Sequence, residues 1–248
     1  MGEPEPTIQI DRISYQIDGA LILEEVSLEV AEGETIVLLG ESGSGKTTLL
    51  KMVNRLIEPT SGEIRIEGRP AREWDLIELR RHIGYVLQEA GLFPHFTVEQ
   101  SVALVPRLLN WQRERTEARI SEVLDLVGLP RGKFGGRFPH ELSGGQRQRV
   151  GVARALAADP PIILLDEPFG ALDVLTRTAL QKEFSHIVRD LGKTAIFVTH
   201  DLHEAEILAT RIALLDKGRI VFLGTPAEFR LADVPLARAY LETTGTAV

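Results

Sequence analysis

The sequence predicts an α/β fold in which a helical lobe is inserted into a core of parallel strands and helices. A glycine-rich loop, GESGSGKTT at 40–48, stands between an apolar run at 35–39 and a helical segment that begins near Leu49. A second apolar run, 162–165, ends in two acidic residues. Between 91 and 158 the pattern is helical, and no strand pattern interrupts it. Strands that alternate with helices in this way are typical of a parallel sheet.

The chain begins with two segments of alternating apolar and polar residues, 7–17 and 20–30, separated by the turn signal Asp18-Gly19. A period of two residues is the signature of a strand with one buried face. An Asp-Gly pair between two such strands favours a hairpin. We therefore expect an antiparallel β subdomain ahead of the glycine-rich loop.

The remaining elements of the core follow from the same periodicities. Between the glycine-rich loop and residue 91 the pattern predicts a strand, an amphipathic helix and another strand, at 63–66, 74–81 and 83–87. After residue 168 it predicts a helix, a buried strand, a hairpin over Lys217-Gly218 and a short helix, at 173–191, 194–199, 212–223 and 226–231.

Helical patterns fill the inserted lobe, at 98–109, 113–127 and 144–157. A chain of 248 residues is within the size range of one large domain with such an insertion. We expect a single domain over 1–248, with its core at 1–90 and 159–235, a helical subdomain at 91–158 and a short C-terminal tail at 236–248.

The bulk composition argues against several classes of protein. The net charge is −8 without any Lys/Arg run, which disfavours nucleic acid as a partner because phosphate backbones are bound by basic patches. Cysteine is absent, so a disulfide framework and a cysteine-ligated metal are both excluded. We find no apolar run long enough to cross a bilayer and no signal-peptide pattern. A function at a membrane would therefore need another subunit to hold the chain there.

The loop at 40–48 has the spacing G-x-x-x-x-G-K-[ST] of a phosphate-binding loop. Gly43 and Gly45 let the backbone curl so that successive N–H groups point at one anion, and the following helix adds the positive end of its dipole. Lys46 can reach the β- and γ-phosphates, and the Thr47 hydroxyl is a hard oxygen ligand that suits Mg²⁺. The alternative is a Gly/Ser connection that only joins a strand to a helix, and the Lys-Thr pair disfavours it.

A second glycine pair, in the segment LSGGQ at 142–146, opens the last helix of the lobe. A serine and two glycines at a helix start expose backbone N–H groups beside a hydroxyl, which favours an anion site. A plain helix cap explains the same residues, and this motif alone does not separate the two interpretations.

Asp166 and Glu167 follow directly after the aliphatic run 162–165. Carboxylates at the end of a buried strand cost desolvation free energy unless a cation or water receives them. We interpret Asp166 as a residue that holds Mg²⁺ through its water ligands. Glu167 is then placed to accept a proton from an attacking water.

Three further residues lie where a nucleotide is expected, and each has a structural alternative. Tyr15, upstream of the loop, offers a ring on which adenine can stack, although a half-buried strand aromatic is the simpler interpretation. Gln88 and His200 follow the ends of predicted strands, the edge at which ligands bind in open α/β sheets. Taken alone, Gln88 is better explained as a polar strand-end residue. A lone histidine is also usually structural, although His200 lies where the phosphates are expected.

The combination of motifs is far more specific than any one of them. The sequence resembles the nucleotide-binding subunit of an ATP-binding cassette (ABC) transporter over nearly the whole chain. The motifs stand in the order typical of that family, with GESGSGKTT at 40–48, Gln88, LSGGQRQRV at 142–150, IILLDEP at 162–168, GALD at 170–173 and His200.

The resemblance implies a P-loop NTPase core of the RecA-like type, with ATP and Mg²⁺ as cofactors. It makes Glu167 the general base, His200 a contact of the γ-phosphate, and Tyr15 the residue that stacks on adenine. It adds Gln88 and Lys46 to the catalytic residues. The phosphate loop that binds ATP then comprises Gly40, Glu41, Ser42, Gly43, Ser44, Gly45, Lys46, Thr47 and Thr48, and the residues around Mg²⁺ are Thr47, Gln88 and Asp166.

The resemblance also implies a head-to-tail homodimer. Each ATP is then bound by the phosphate loop of one chain and covered by the LSGGQ motif of the other, with Asp173 at the interface. This arrangement accounts for two anion sites in one chain. The covering residues are Leu142, Ser143, Gly144, Gly145 and Gln146.

A finer similarity is to importer ATPases for quaternary-amine osmoprotectants such as glycine betaine, choline and carnitine, in the segments 54–64, 78–98, 103–109 and 138–156. It implies a membrane permease as partner, a substrate-binding protein indirectly, no nucleic acid, and a location at the cytoplasmic face of the inner membrane. An apolar loop at 91–96 is expected to line a groove for a cytoplasmic helix of the permease. Many such ATPases carry a pair of regulatory cystathionine-synthase-type modules after the core, for which this chain is too short, so its osmosensing role and its substrate stay open.

Four other classes of function remain as alternatives. Importers for other small solutes, such as amino acids, share much of this sequence. A P-loop kinase or GTPase has no use for LSGGQ. Non-transport ABC ATPases usually carry a long coiled-coil insertion or two cassettes, often with basic surfaces, and this chain has one cassette and a net charge of −8. A purely regulatory binding module is disfavoured by Glu167.

Overall fold

The computed structural model describes residues 5–170 and 174–243, and their side chains except those of 174–176. The chain folds into two compact units, the first comprising residues 1–79 and 192–248 and the second residues 80–191. Asp173, expected at a dimer interface, lies outside the described residues.

The strands lie close to the positions that the sequence predicts. In chain order they are β1 (Ile8–Ile17), β2 (Ala20–Val30), β3 (Thr35–Leu39), β4 (Ser61–Ile66), β5 (Arg69–Pro70), β6 (Ile83–Val86), β7 (Ile162–Asp166), β8 (Thr194–Thr199), β9 (Arg211–Asp216) and β10 (Arg219–Gly224).

The helices complete the two units. They are α1 (Lys46–Val53), α2 (Leu76–His82), α3 (Val98–Val102), α4 (Leu104–Leu108), α5 (Arg113–Leu126), α6 (Arg131–Phe134), α7 (Gly144–Leu156), α8 (Val174–Asp190), α9 (Leu202–Leu208), α10 (Pro226–Arg230) and α11 (Pro235–Thr243), with short 3₁₀ turns at Ala71–Glu73 and Pro139–Glu141.

In the first unit, β1 is the centre of an antiparallel sheet with the strand order β2-β1-β4-β5. The expected hairpin is confirmed, since Ile17 pairs with Ala20 across the Asp18-Gly19 turn and the pairing runs back to Ile8 and Val30. Ile8, Ile10 and Ile13 are almost fully buried. Ile8 and Ile10 alternate as the sequence predicts, and a register shift between Ile10 and Ile13 changes the phase of the alternation.

The parallel strands of the first unit have β3 between β8 and β9. Leu39 at the end of β3 is opposite Thr199 of β8 and Leu214 of β9. Residues 36–39 and 195–198 are fully buried, as expected for parallel strands covered on both faces. The register therefore brings the residues that follow β3 and β8 to the same edge.

The second unit combines the parallel pair β6 and β7 with a group of helices that includes the strand-free segment 91–158. Helix α7 packs against β6, α3 and α5. Its C-terminal carbonyl groups are bound by Arg119 of α5, whose Nη2 donates to Leu156 O at 2.8 Å and whose Nε donates to Ala157 O at 3.3 Å. The central position of α7 fixes where its N-terminal LSGGQ motif lies within this unit.

Several features differ from the sequence prediction, among them β5 and α6, which were not predicted. The helix expected at 98–109 is two short helices with Ala103 between them, because Pro106 has no N–H to donate and its ring clashes with the carbonyl of residue 102. Helix α9 was not predicted, although Asp201 caps it by accepting from His203 N. Helix α11, which occupies most of the expected tail, was also not predicted.

None of the helices in the described ranges is long and apolar enough to cross a membrane.

The close approach of β6 to α7 leads to a prediction about stability. A Cβ atom on Gly84 would lie 2.6 Å from Ala155 O and 3.0 Å from a ring carbon of Pro160. Since the first neighbour is backbone, we expect Gly84→Ala to lower the free energy of unfolding by about 1–3 kcal/mol. Urea denaturation measures this change.

Gly136→Ala is the matched control, because a Cβ at Gly136 would meet nothing within 4 Å. Its effect should stay within about 0.5 kcal/mol. Equal stability of the two variants would contradict the packing described for β6 and α7.

Candidate functional site

The phosphate loop connects β3 to α1 and folds as the motif predicts. Gly43 and Gly45 have φ angles of 82° and 105°, which favour glycine because a side chain there is strained. A Cβ on Gly45 would also lie 2.6 Å from a methyl carbon of Leu23 and 3.1 Å from Ile22 O. Both the backbone conformation and the contact with β2 therefore require glycine at this position.

Lys46, the first residue of α1, has its ammonium group inside this loop. The side chain is 4% exposed, and Nζ donates hydrogen bonds to Gly40 O and Glu41 O, both at 2.8 Å. An ammonium group carries three donors and a full charge. The arrangement keeps a positive charge at the centre of a ring of backbone groups, which is the chemistry needed to hold phosphate.

His200 directly follows β8, and Gly40 directly follows β3. Because Leu39 and Thr199 are paired in the parallel register, the imidazole-bearing residue and the start of the phosphate loop leave neighbouring strands at the same level. Thr199 Oγ1 is 2.5 Å from the buried Glu204 carboxylate and accepts from Asp201 N at 3.0 Å. These bonds fix the turn on which His200 is exposed.

Tyr15 is half-buried in β1, where it pairs with Leu23 of β2. Leu23 is the residue that contacts Gly45 of the phosphate loop. Tyr15 is therefore one strand away from the loop, which is compatible with a ring beside the base of a bound nucleotide. The first unit thus brings together the phosphate loop, His200 and Tyr15.

In the second unit, Gln88 lies just after β6, Asp166 is the last residue of β7 and Glu167 follows it. The register pairs Val86 with Leu165, so the residues after each strand emerge together. Gln88 is exposed, whereas Asp166 is 7% exposed. The second unit thereby brings Gln88 and the candidate metal-binding and catalytic carboxylates to one edge.

Asp166 has a partner that the sequence analysis did not identify. Tyr85 of β6 donates its hydroxyl to Asp166 Oδ2 at 3.5 Å. Burial, and then the charge of Asp166, raise the pKa of Tyr85 well above its ordinary value, so the phenol remains a donor at neutral pH. The sequence holds one signal for this contact. A tyrosine lies near the end of β6, and the strand that pairs with β6 ends in an aspartate.

Glu167 adopts a left-handed conformation with φ 42°. For a residue with a side chain this costs on the order of 1 kcal/mol or more, and such strain is concentrated at functional sites. Its carbonyl oxygen accepts from Gly170 N at 3.2 Å, which closes a turn immediately after the residue. The turn directs the chain away from β7 at the point where the general base is expected.

The LSGGQ segment begins α7 with a capping box. Ser143 Oγ accepts from Gln146 N at 3.2 Å, and the Gln146 side chain accepts from Ser143 N at 3.0 Å. Both sequence interpretations are therefore compatible with the structure, because a capping hydroxyl still has an O–H to donate. The N–H groups of Gly144 and Gly145 belong to the first turn, whose amides have no partner within the helix.

Helix α11 places another residue near the phosphate loop that the sequence analysis missed. Tyr240 is half-buried, and burial together with the charge of Glu41 raises its pKa to about 12. No sequence pattern indicates this proximity, because it depends on a helix that was not predicted.

The donor atoms expected around Mg²⁺ fit that ion, because they are hard oxygens: the Thr47 hydroxyl, the Gln88 amide and the Asp166 carboxylate. Within the described ranges no cluster of three or more His, Asp or Glu side chains could hold a metal by itself. In proteins Mg²⁺ usually keeps several water ligands and binds substrate phosphates as well as one or two protein oxygens.

Comparison with known proteins gives consistent results. The glycine betaine/carnitine/choline transport ATP-binding protein OpuCA of Bacillus subtilis is 55% identical over 85% of this chain and 55% of its own length. The glycine betaine uptake system ATP-binding protein YehX of Escherichia coli is 50% identical over 88% of this chain and 71% of its own length. This chain thus spans about half the length of the first of these relatives.

A solved structure of similar fold is a dimeric ATP-binding cassette in a post-hydrolysis state, bound to ADP and Pi. It has a TM-score of 0.78 and 33% identity, and the match covers 88% of this chain and 98% of that one. The family model described as ABC transporter matches residues 23–170, a segment that includes the phosphate loop, Gln88, the LSGGQ helix and both acidic residues. This match covers more than half of the chain, which therefore belongs to the ABC transporter family.

Proposed function

We propose that this chain binds and hydrolyses Mg-ATP and couples hydrolysis to the uptake of a quaternary amine, such as glycine betaine or choline, through a membrane permease. The observation that carries ATP binding is the phosphate loop with Lys46 inside it. The similarity to the two osmoprotectant-transport relatives supports the class of solute. A location at the cytoplasmic face of the cell membrane follows from these roles.

Within one chain, the phosphate loop binds the nucleotide. Its backbone N–H groups and Lys46 bind the β- and γ-phosphates, and Tyr15 stacks on the adenine ring. Thr47, Asp166 and Gln88 are the residues that would hold Mg²⁺, directly or through its water ligands. The ion, when bound, neutralises charge that develops on the phosphates.

Glu167 is the residue proposed to accept the proton of the attacking water, and His200 to contact the γ-phosphate. Carboxylate bases of this kind contribute through their position and their charge. The strained turn at Glu167 supports the role, since a residue is held in such a conformation only when its surroundings require it.

A second copy of the chain is the proposed partner at the nucleotide. The first turn of α7 in one chain, with the Ser143 hydroxyl and the N–H groups of Gly144 and Gly145, would complete the cage around the γ-phosphate bound by the other chain. The arrangement of Asp173 at this interface is part of the same proposal. The dimeric state of the structural relative supports it.

The proposed contact with the permease is the apolar loop at 91–96 in the second unit. Phe93 is 46% exposed, and its ring lies 5.3 Å from that of Phe96. Beside this loop is a groove of about 230 Å³ that is lined by Leu104, Val105 and three arginine residues, Arg80, Arg81 and Arg154. A groove with apolar walls and guanidinium groups favours the binding of an amphipathic helix, whose apolar face packs on the walls and whose acidic residue pairs with an arginine. The substrate-binding protein would be reached only through the permease.

The general base is tested by Glu167→Gln, which keeps the shape of the side chain and removes the proton acceptor. We expect ATP affinity to be retained while turnover falls by a factor on the order of 10²–10⁴. Steady-state ATPase assays and binding of a fluorescent ATP analogue measure the two quantities. In cells whose own copy has been deleted, uptake of labelled glycine betaine or choline should return with the wild-type chain but not with this variant.

Glu114 is an exposed acid on α5, and Glu114→Gln is the control. It should change neither the ATPase turnover nor the rate of uptake. Near-normal turnover of Glu167→Gln would refute the role of the base. Unchanged quaternary-amine uptake in the deleted cells would refute the proposed solute without affecting the ATPase proposal.

The shared site is tested by mixing two inactive chains, Ser143→Arg and Lys46→Ala. In a mixed dimer one site has both substitutions and the other pairs an intact Lys46 with an intact Ser143. Activity should return on mixing, to at most about a quarter of the wild-type rate, since half of randomly formed dimers are mixed and each has one intact site.

The control mixes the Lys46→Ala chain with a chain that carries both substitutions, which leaves no intact site and should restore nothing. A wild-type rate per chain that is independent of concentration, in a chain shown by light scattering to be monomeric with ATP, would rule out the shared site.

The permease contact is tested by Phe93→Ser. ATP binding should be unchanged because Phe93 is outside the nucleotide site, whereas uptake should fall at a given rate of hydrolysis. Leu231→Ser removes an even more exposed apolar side chain, 84% exposed on the first unit, and should leave coupling intact. Normal uptake and normal copurification of the permease with the Phe93→Ser chain would exclude this contact.

A further inference from the structure

One face of α7 is in continuous contact with the loop that contains Gln88, here called the Gln88 loop and defined as residues 87–91. The contacting residues of α7 are Gln148, Gly151 and Arg154, which are spaced by three residues and so lie on one side of the helix. The sequence analysis assigned no role to any of them. Each makes a different kind of contact.

Gln148 binds the start of the Gln88 loop. Its side-chain amide is 5% exposed, and Nε2 donates to Leu87 O at 3.2 Å. A buried amide without such a partner costs about 1–3 kcal/mol. The bond therefore fixes the backbone on the N-terminal side of Gln88.

Gly151, one turn further along, lets the helix backbone approach the loop closely. A Cβ on Gly151 would lie 3.4 Å from the Cβ of Ala90 and 3.5 Å from Ala90 O. Ala90 itself is only 4% exposed. The loop is thus packed directly on the helix at the middle of the contact face.

Arg154 binds the end of the Gln88 loop with both arms of its guanidinium group. Nη1 donates to Gly91 O at 2.6 Å and Nη2 to Ala90 O at 2.7 Å. Among the described residues no carboxylate pairs with it, and burial lowers the pKa of this guanidinium. Burying a charge costs free energy unless hydrogen bonds compensate for it. Because this guanidinium group donates to two carbonyl groups of the turn, we interpret its role as stabilising the turn.

The turn that Arg154 holds is unfavourable in isolation. Ala90 and Gly91 have consecutive left-handed φ angles of 50° and 53°. For alanine this conformation costs on the order of 1 kcal/mol. It persists because the surrounding contacts determine it, and Arg154 supplies the hydrogen bonds to both carbonyls.

We propose that Gln148, Gly151 and Arg154 form a clamp that sets the position of Gln88 relative to the LSGGQ helix, and that Gln148 and Arg154 are positioning residues for ATP hydrolysis. The backbone is pinned before and after Gln88, while the side chain of Gln88 itself stays exposed. Gln88 and Ser143 are thereby attached to one rigid helix. A displacement of α7 moves both together.

The clamp also reaches the groove proposed for the permease, because Arg154 lines that groove as well as binding the loop. An occupant of the groove would therefore act on Gln88 through Arg154. This inference rests on the proposed role of Gln88 in hydrolysis, and the test separates the two.

The test is a double-mutant cycle between Arg154→Met and Gln88→Ala, measured as ATPase turnover at saturating ATP over a range of Mg²⁺ concentrations. Misplacement of a catalytic group by about 1 Å costs on the order of 100-fold, so we expect Arg154→Met alone to lower kcat by roughly 10- to 100-fold, with ATP affinity unchanged. Arg154→Lys, which keeps the charge and loses the two-armed geometry, should be intermediate. In the Gln88→Ala background, Arg154→Met should lower the rate by less than about twofold, because the group it positions is gone.

Arg119→Met is the matched control, since Arg119 also binds two backbone carbonyls of the second unit but away from the Gln88 loop. It should lower thermal stability, and any loss of turnover that it causes should be the same with and without Gln88. Gln148→Leu, which conserves volume, provides a second variant with the same expected dependence on Gln88 if Arg154→Met does not fold.

The outcomes are distinct. Equal loss of turnover from Arg154→Met with and without Gln88, or no loss at all while Gln88→Ala is impaired, overturns the clamp and leaves the proposed function standing. Unchanged turnover of Gln88→Ala overturns the proposed role of Gln88 and the clamp with it. A loss confined to the Gln88-containing background supports the clamp.

Discussion

The parallel pairing of β3 with β8 and β9 is the constraint on which the first unit depends. Each of these strands buries an apolar run, and its buried apolar side chains offer no polar groups to a ligand. The candidate ligand-binding residues therefore lie in the segments that follow the strands. The pairing of Leu39 with Thr199 places the phosphate loop and His200 on the same level, and the contact of Gly40 with Leu215 O adds β9 to the same edge. The second unit repeats the principle with β6 and β7, whose ends carry Gln88 and the two acids.

The sequence predicted most of this architecture, because its signals are local. Apolar runs between turn residues give the strands, and the phosphate loop and the LSGGQ segment have fixed spacings. The division of the expected helix at Ala103 could have been predicted from Pro106, because proline interrupts the hydrogen bonds of a helix. The apolar periodicity on both sides of Pro106 instead favoured one continuous helix. Helix α9 is short, and the sequence analysis did not recognise Asp201 as its cap. Most of helix α11 lies in the segment 236–248, for which the sequence predicts a short tail.

The parts of the site that the sequence could not predict are the contacts between residues distant in the chain. Tyr85 meets Asp166 only because β6 and β7 pair in one register. Arg154 and Gln148 bind carbonyl oxygens of the Gln88 loop. Every residue has a backbone carbonyl group, so the sequence does not indicate which of them a side chain binds. The proposed roles of Gln88 and His200 came from their joint occurrence with other motifs, since each alone has a structural explanation. The role of Glu167 was inferred from its position after a buried strand.

The left-handed conformation of Glu167 has a consequence for how this position responds to selection. Glycine and asparagine adopt such a conformation at lower cost than glutamate does, so folding alone would favour replacing the carboxylate. Catalysis, as proposed, would forbid the same change. Stability and activity are therefore opposed at a single residue. In a copy of this chain that is no longer selected for activity, replacement of Glu167 by glycine or asparagine would relieve this backbone strain.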